Sequence, residues 1–139
     1  MMKKTIFITS LTVAGLFLVS TAFAKNLTIV SWGGGYTKSQ VEAYHKPWMA
    51  KGGKKINSED YNGGLAEVKA QVESGKVVWD LVDVELSDAV RGCDEGLLEE
   101  IDLSMLPDGD DGTPAKDDFL EGTLTDCGVG QIVWSTIYA

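Results

Sequence analysis

The chain is poor in the residues on which most enzymes and metal sites depend. It has one histidine, His45, and two cysteines among 139 residues. No local motif pairs His45 with a serine or cysteine nucleophile, and no pair of carboxylates is marked out for acid and base catalysis. A zinc site needs four ligands, and only His45 could join two cysteines that lie far apart in the sequence. The sequence therefore predicts a protein that is not an enzyme and that has no cofactor and no metal.

Basic residues are scarce as well. The chain has 12 lysines and arginines against 21 aspartates and glutamates, which gives a formal net charge of −9. The acidic excess lies in residues 80–139, which hold 2 basic and 16 acidic side chains, whereas residues 25–79 hold 8 and 5. Such a balance argues against nucleic acid and anionic membrane surfaces as partners and permits a cationic one.

The long apolar run of the chain lies at its start. Residues 1–24 have a basic beginning, an apolar stretch over residues 6–19 and the small-residue ending Ala22-Phe23-Ala24. This is the layout of a secretory signal peptide with cleavage before Lys25. A membrane anchor is the alternative, but the stretch contains hydroxyl side chains and is short for a span of about 20 residues. Export to the periplasm is predicted, which leaves 115 residues, enough for one modest domain, with a net charge of −11.

Two cysteines in an exported chain favour a disulfide. Cys93 and Cys127 are the only pair available, and an even count in an oxidising compartment indicates a bridge. Closing a loop of this length stabilises a fold by roughly 4 kcal/mol in the chain-entropy model, less any strain.

Glycine-rich and acidic stretches suggest nucleotide or calcium binding, but their spacing does not fit. A phosphate-binding loop needs glycine immediately before Lys38-Ser39, and a dinucleotide fingerprint needs glycine at position 38 itself. In the acidic run 108–112, an EF-hand would need glycine where Thr113 stands and glutamate where Phe119 stands. The run is therefore interpreted as a solvated acidic loop.

The stretch LTIVSWGGGYT, residues 27–37, organises the rest of the chain. It predicts a buried strand over residues 27–31 that passes through Trp32 into three glycines and opens a helix near Tyr36. In open α/β sheets, ligands collect where strands end and helices begin, because backbone N–H groups are free there. The functional site is predicted at this corner.

The remaining chain alternates between predicted helices and strands. An order of strand, helix, strand, helix and strand predicts an α/β fold with a mostly parallel sheet and right-handed crossovers. The abrupt end of the chain within an apolar strand suggests a truncated sequence. The predicted elements are a helix over 37–51 interrupted at Pro47, a strand over 54–58, a helix that carries Leu65, Val68 and Val72 on one face and ends at Gly75, a strand over 77–84 covered on both sides, a short helix over 87–91 with a further turn at 95–99, a loop over 103–118, and a strand over 129–139.

Aromatic residues flank the glycines. An aromatic face attracts a cation by about 0.5 to 2 kcal/mol, so a cleft of indoles and carboxylates would suit an amine. Trp32 is predicted to contact a ligand because its strand-end position faces the crevice, and Tyr36 lies beside it. Trp134, on the predicted final strand, fits a ligand contact or a core position equally. Trp48 and Trp79 are predicted to be core residues.

Several segments together resemble a known family. They are, after the export signal, LTIVSWGGGYTKSQVEAYHKPW, GGLAEVKAQVESGKVVWDLVDVE, DEGLLEEID and GVGQIVWSTIYA. Their order resembles that of the extracellular solute-binding proteins of bacterial ABC importers, especially the spermidine/putrescine-binding group. The resemblance implies a two-lobed α/β protein of periplasmic-binding-protein type II that binds a solute between its lobes and delivers it to an inner-membrane permease. Members are more than twice this length, so residues 25–139 would be a partial N-terminal lobe, and a monomer is expected.

The resemblance also implies a set of ligand-binding residues. Polyamine binders usually have Pro-Ser-Thr after the third strand, whereas this chain has Val84-Glu85-Leu86. Asp83 and Glu85 could hold an ammonium group while Trp32 stacks on its methylenes, but Glu85 fits equally well as a carboxylate that favours a helix dipole. The implied residues are Ser31, Trp32, Gly33, Gly34 and Tyr36 after the first strand, Asp83, Glu85 and Ser87 after the third, and Trp134, Ser135 and Thr136 near the hinge.

Three functions remain open at this stage. The first is a periplasmic binding protein for a small cationic solute, a polyamine in the favoured version, that works by lobe closure without chemistry. The second is a secreted α/β enzyme whose catalytic residues lie beyond this sequence. The third is an adhesive or structural module that uses its acidic surface.

Overall fold

The structure is a computed structural model that describes residues 25–135 and Ile137. The predicted signal peptide, residues 1–24, and the predicted ligand residue Thr136 lie outside the described residues. Within them, no helix is long and apolar enough to cross a membrane. The elements are strands β1 Leu27–Ser31, β2 Ile56–Asp60, β3 Leu81–Val82, β4 Leu124–Thr125 and β5 Gly128–Val129, and helices α1 Gly34–Gln40, α2 Lys46–Ala50, α3 Ala66–Ser74, α4 Leu86–Asp94 and α5 Ala115–Asp118.

The main sheet has three parallel strands in the order β2-β1-β3. The predicted parallel sheet and the bounds of β1 are therefore confirmed. Central β1 supplies the fully buried Val30. Strand β2 begins two residues later than predicted, because Leu27 pairs with Ile56 and Ser31 with Asp60. Its last four residues are exposed, so pairing with β1, rather than an apolar pattern of its own, defines where this edge strand ends.

Strand β3 is much shorter than the predicted strand over 77–84. Val77, Val78 and Leu81 are each more than half exposed, so the prediction that helices cover this strand on both sides is wrong for the described residues. The backbone N–H groups of Val78 and Trp79 donate to Gln71 Oε1 of α3 at 2.9 and 3.3 Å. The backbone N–H groups of this stretch therefore bind a helix side chain, whereas the prediction expected them to pair with a neighbouring strand.

Trp79 is half-buried. It packs edge-on against Tyr61, with ring centroids 5.4 Å apart, and its Nε1 donates to Glu59. The predicted core position is thus only partly realised, because the indole lies at the border of the sheet.

The first helical region is continuous in space but changes its winding. Between α1 and α2, residues Val41–His45 form a π-helical turn immediately before Pro47. Proline has no N–H for the bond to the fourth preceding residue, and its ring crowds that carbonyl, so a wider turn at this point follows from Pro47. The predicted interruption is confirmed.

Trp48 is not the core residue that its helical spacing suggested. Its side chain is 52% exposed and lies over Gly53, where an added Cβ would come within 2.2 Å of the indole nitrogen. The indole therefore covers the end of α2 and faces solvent. Helical periodicity identified which residues share the face of the helix with Trp48, but it could not show whether other parts of the protein cover that face.

The predicted second helix is confirmed. Helix α3 has the buried Val68 and ends at Gly75, which adopts the left-handed conformation with φ 64°. Helix α4 extends to Asp94 and is longer than predicted, and the predicted turn of helix at 95–99 does not form. Within the predicted loop 103–118, only a short 3-10 turn at Leu103–Met105 and the four-residue α5 are helical.

A disulfide joins α4 to the small hairpin formed by β4 and β5. Cys93 and Cys127 are bonded, with their Cα atoms 5.7 Å apart, and the two hairpin strands are antiparallel.

The predicted strand over 129–139 is wrong for the described residues after Val129. No strand pairs with residues 130–135, and Val133 and Trp134 are 72% and 57% exposed. An alternating apolar pattern forms a strand only where a partner strand is available.

Candidate functional site

A cavity of about 340 Å³ opens where β1 and β3 end and where the segment after β5 returns. Trp32, Tyr36, Glu85 and Trp134 were all among the residues expected to bind a ligand from the sequence. Ile132 is the wall residue that the sequence did not reveal, because an apolar residue on a predicted strand carries no signal of ligand contact. Of the residues that the structure describes, five line the cavity: Trp32, Tyr36, Glu85, Ile132 and Trp134.

Trp32 is held in place by the glycines around it. Its ring lies 5.6 Å from that of Tyr36, with a tilt of 32° between their planes. A Cβ at Gly63 would come within 2.8 Å of the indole nitrogen, and Gly63 has φ +86°, a conformation that strongly favours glycine. Gly63 therefore lets the loop after β2 lie against the indole and fixes one side of Trp32.

Gly33, between β1 and α1, allows a second close contact, with Asp60 at the end of β2. It has φ +83°, and a Cβ there would meet the carboxylate of Asp60 at 3.0 Å. Its N–H donates to Thr37 Oγ1 at 2.8 Å. The close packing of the corner thus depends on Gly33, which does not itself line the cavity.

Glu85 is the carboxylate in the wall of the cavity. It occupies the residue before α4 with extended backbone, and its side chain makes no capping hydrogen bond. A carboxylate can favour the helix dipole without such a bond, so the structure is compatible with both roles that the sequence left open. The carboxylate remains available to a cation in the cavity, where the indoles of Trp32 and Trp134 also lie.

Asp83 is placed differently from the sequence expectation. Its Oδ2 accepts from Gln40 Nε2 and its Oδ1 from Gln131 Nε2, both at 2.5 Å. Its backbone carbonyl accepts from the hydroxyl of Tyr61. With both carboxylate oxygens engaged, Asp83 joins β3 to α1 and to the segment that carries Ile132 into the cavity.

Burial shifts the pKa values of Tyr61 and His45, and the Asp83 charge acts on both. Burial and then the Asp83 charge raise the pKa of Tyr61 to about 12, so its hydroxyl remains a donor at all physiological pH values. Burial lowers the pKa of His45, and Asp83 opposes this only in part. His45 Nδ1 lies 2.8 Å from Ser58 Oγ, so the single histidine is a buried packing residue.

Three buried polar side-chain atoms of β1 and α1 have no hydrogen-bond partner among the described residues. They are Ser31 Oγ, the Tyr36 hydroxyl and Gln40 Oε1. Burial and then Asp83 raise the pKa of Tyr36. The Gln40 amide is near enough to oppose that rise, but the hydroxyl and Oε1 make no hydrogen bond of normal geometry. Gln40, which is only 4% exposed, was not singled out in the sequence because a polar residue on a helix is ordinarily on the surface.

The other predicted ligand residues do not line this cavity. Ser31 is buried beneath it, Gly34 and Ser87 are exposed, and Ser135 is exposed beyond Trp134. Among the described residues, no lysine or arginine lines the cavity, and no three histidine, cysteine or acidic side chains form a group that could hold a metal ion. The wall is thus aromatic and apolar with one carboxylate.

The chain is similar to known binding proteins. No protein-family model matches the chain. Over 118 residues it is 43% identical to a gamma-aminobutyric acid-binding protein of Pseudomonas aeruginosa, an alignment that covers 85% of this chain and 32% of that protein.

Solved structures of periplasmic binding proteins are also similar to this chain. The periplasmic binding protein AgtB of A. tumefaciens R10, in complex with agropinic acid, is 35% identical with a TM-score of 0.64 over 76% of this chain and 30% of its own. The periplasmic binding protein MotA of A. tumefaciens B6, in complex with glucopine, is 29% identical with a TM-score of 0.63 over 73% of this chain and 29% of its own. The fold is therefore that of a periplasmic-binding-protein lobe, and the chain spans about a third of the length of the relatives it matches.

Proposed function

We propose that this chain is part of a periplasmic solute-binding protein of an ABC importer. Residues 1–24 direct export, residues 25–139 belong to the N-terminal lobe, and a permease in the inner membrane receives the solute. The observation that carries the proposal is the cavity at the strand ends, lined by two indoles, a phenol and one carboxylate. The similarity to binding proteins for gamma-aminobutyric acid and opines supports it.

The solute that fits this half of the site has an ammonium group on a short methylene chain. Glu85 supplies the negative charge, and Trp32 and Trp134 supply flat apolar faces for the methylenes. Polyamines and gamma-aminobutyric acid share this chemistry and differ at the other end, which is an ammonium in putrescine and a carboxylate in gamma-aminobutyric acid. No cation of the described residues lines the cavity, so a carboxylate end would have to be recognised by residues outside them.

The experiment is calorimetric titration of the full-length mature protein. Putrescine, spermidine and gamma-aminobutyric acid are compared with butylamine, which has only the ammonium, and butanoate, which has only the carboxylate. We expect solutes with an ammonium to bind and butanoate alone not to bind. Binding of butanoate without butylamine would overturn the assignment of the ammonium to this cavity, and binding of none would overturn the proposed function.

Glu85→Gln tests the carboxylate directly. Removing a charge that faces an ammonium should weaken binding at least tenfold, since charge-assisted hydrogen bonds contribute about 1.5 to 3 kcal/mol. Glu67→Gln is the matched control, because Glu67 is an exposed carboxylate in the first turn of α3. If both substitutions lower stability alike and neither changes affinity, Glu85 acts only on the helix dipole.

A further inference from the structure

We infer that Gln40 is a solute-binding residue, whose carbonyl oxygen Oε1 is aimed by Asp83 to accept a hydrogen bond from an N–H group of the solute, and that Ser31 and Tyr36 complete the same polar subsite. The inference rests on the proposed function and adds to the proposed site a polar region on the far side of Tyr36 from the cavity. Its starting observation is the set of three buried polar atoms without partners among the described residues.

The orientation of the Gln40 side-chain amide follows from its hydrogen bond to Asp83. Asp83 Oδ2 lies 2.5 Å from Gln40 Nε2, and an ionised carboxylate only accepts hydrogen bonds. The NH₂ group of Gln40 must therefore face Asp83, and Oε1 must face away from it. Since Gln131 occupies the other oxygen of the same carboxylate, Asp83 is held from two sides. The acceptor that Gln40 presents is thus fixed in direction.

The three unpartnered atoms lie in one region. Val30 pairs with Val82, and the N–H of Asp83 donates to the carbonyl of Val30. One step further along these parallel strands, Ser31 stands beside Asp83, and neighbouring side chains of a sheet point to the same face. Gln40 bonds to Asp83 from helix α1 above that face.

Tyr36 connects this region to the cavity. It precedes Gln40 by four residues, which places both on one side of α1, and it lines the cavity. Ser31 and Gln40 are 2% and 4% exposed. A buried polar atom without a partner destabilises the protein unless something else binds to it. An N–H group at the end of the solute would satisfy Gln40 Oε1 and Ser31 Oγ, both of which can accept.

Two conservative substitutions test the subsite, because each should weaken solute binding without lowering thermal stability. Ser31→Ala and Tyr36→Phe each remove one unpartnered hydroxyl. In the full-length protein, we expect the thermal midpoint to stay unchanged or rise, since an unsatisfied polar group is lost, while the Kd for putrescine or gamma-aminobutyric acid increases at least fivefold. If the midpoint falls and the Kd does not change, the hydroxyls are satisfied by a resident water or by each other, and the inference is wrong.

Gln40→Met tests the acceptor itself. It also removes the bond to Asp83, so stability should fall together with affinity. Gln71→Met is the matched control, because Gln71 Oε1 accepts two backbone N–H groups far from the cavity. The control should lower stability without changing the Kd. If Gln40→Met and the unaltered protein have equal Kd values, the inference is wrong but the proposed function stands. If the unaltered protein does not bind amines, the proposed function is wrong as well.

Asp83→Asn tests the positioning role. An asparagine can donate as well as accept, so the Gln40 amide becomes free to turn its NH₂ toward the subsite. We expect the side-chain amide resonances of Gln40 to shift in the NMR spectrum and the preference for butylamine over butanoate to fall at least fivefold. Unchanged Gln40 resonances would show that Asp83 does not orient this amide.

Discussion

At the scale of single residues, Gly63 is a backbone position that determines where the cavity residue Trp32 can lie. Gly63→Ala places a methyl group at φ +86° and within 2.8 Å of the Trp32 indole nitrogen. A left-handed alanine alone costs about 1 to 2 kcal/mol, and displacement of the indole adds to this. We expect lower stability in urea unfolding, a changed near-ultraviolet circular dichroism spectrum and weaker solute binding.

Gly64→Ala is the matched control for this prediction. Gly64 has φ +78°, and a Cβ there meets nothing within 4 Å, so it carries the backbone cost without touching Trp32. If the two alanines behave alike in spectrum and affinity, Gly63 does not position Trp32. The sequence marked Trp32 as a ligand residue from its place at a strand end, but it could not show Gly63, since the contact joins loops that follow two different strands.

At the scale of elements, the disulfide controls where the segment after β5 lies. Cys93 on α4 is bonded to Cys127 between β4 and β5, at a sequence separation of 34. Reduction, or Cys93→Ser with Cys127→Ser, should destabilise the protein by roughly 4 kcal/mol in the chain-entropy model. Hydrogen exchange should rise in the hairpin and in residues 130–134, while β1 and β2 keep their protection. Equal exchange in all these elements would show that the disulfide stabilises the fold only globally.

The elements that could be predicted are those whose signals are local. Strand β1 is rich in apolar and β-branched residues, and α3 has a 3.6-residue period and a terminal glycine. Pro47 interrupts its helix because it has no backbone N–H. The failures depend on partners distant in sequence. Strand β3 is short because it pairs with β1 at only two positions, while Gln71 of α3 binds the backbone that precedes it. Residues 130–135 form no strand despite their apolar alternation. Trp32 and Tyr36 were found because the end of β1 was located correctly. The family resemblance supplied Glu85 and Trp134, and no sequence signal marked Ile132.

At the scale of the whole molecule, the separation of charge along the sequence bears on how a solute is captured. Sixteen of the 21 acidic residues lie in residues 80–139, the half that supplies Glu85, Ile132 and Trp134 to the cavity. A negative field around a cleft accelerates the association of cations and not of neutral molecules, and salt screens it over about 10 Å at 0.1 M ionic strength.

The salt dependence of association therefore distinguishes the two classes of solute. Putrescine has two positive charges, so its association rate should fall severalfold between about 0.02 and 0.2 M salt, where the screening length drops from roughly 20 to 7 Å. Gamma-aminobutyric acid has no net charge, and its rate should change little, since attraction at one end is offset by repulsion at the other. Stopped-flow fluorescence of the cavity indoles measures both rates, with butylamine as a singly charged standard of intermediate slope. Equal slopes for all three solutes would mean that the acidic half of the chain does not steer the solute, and its charge would then need another explanation.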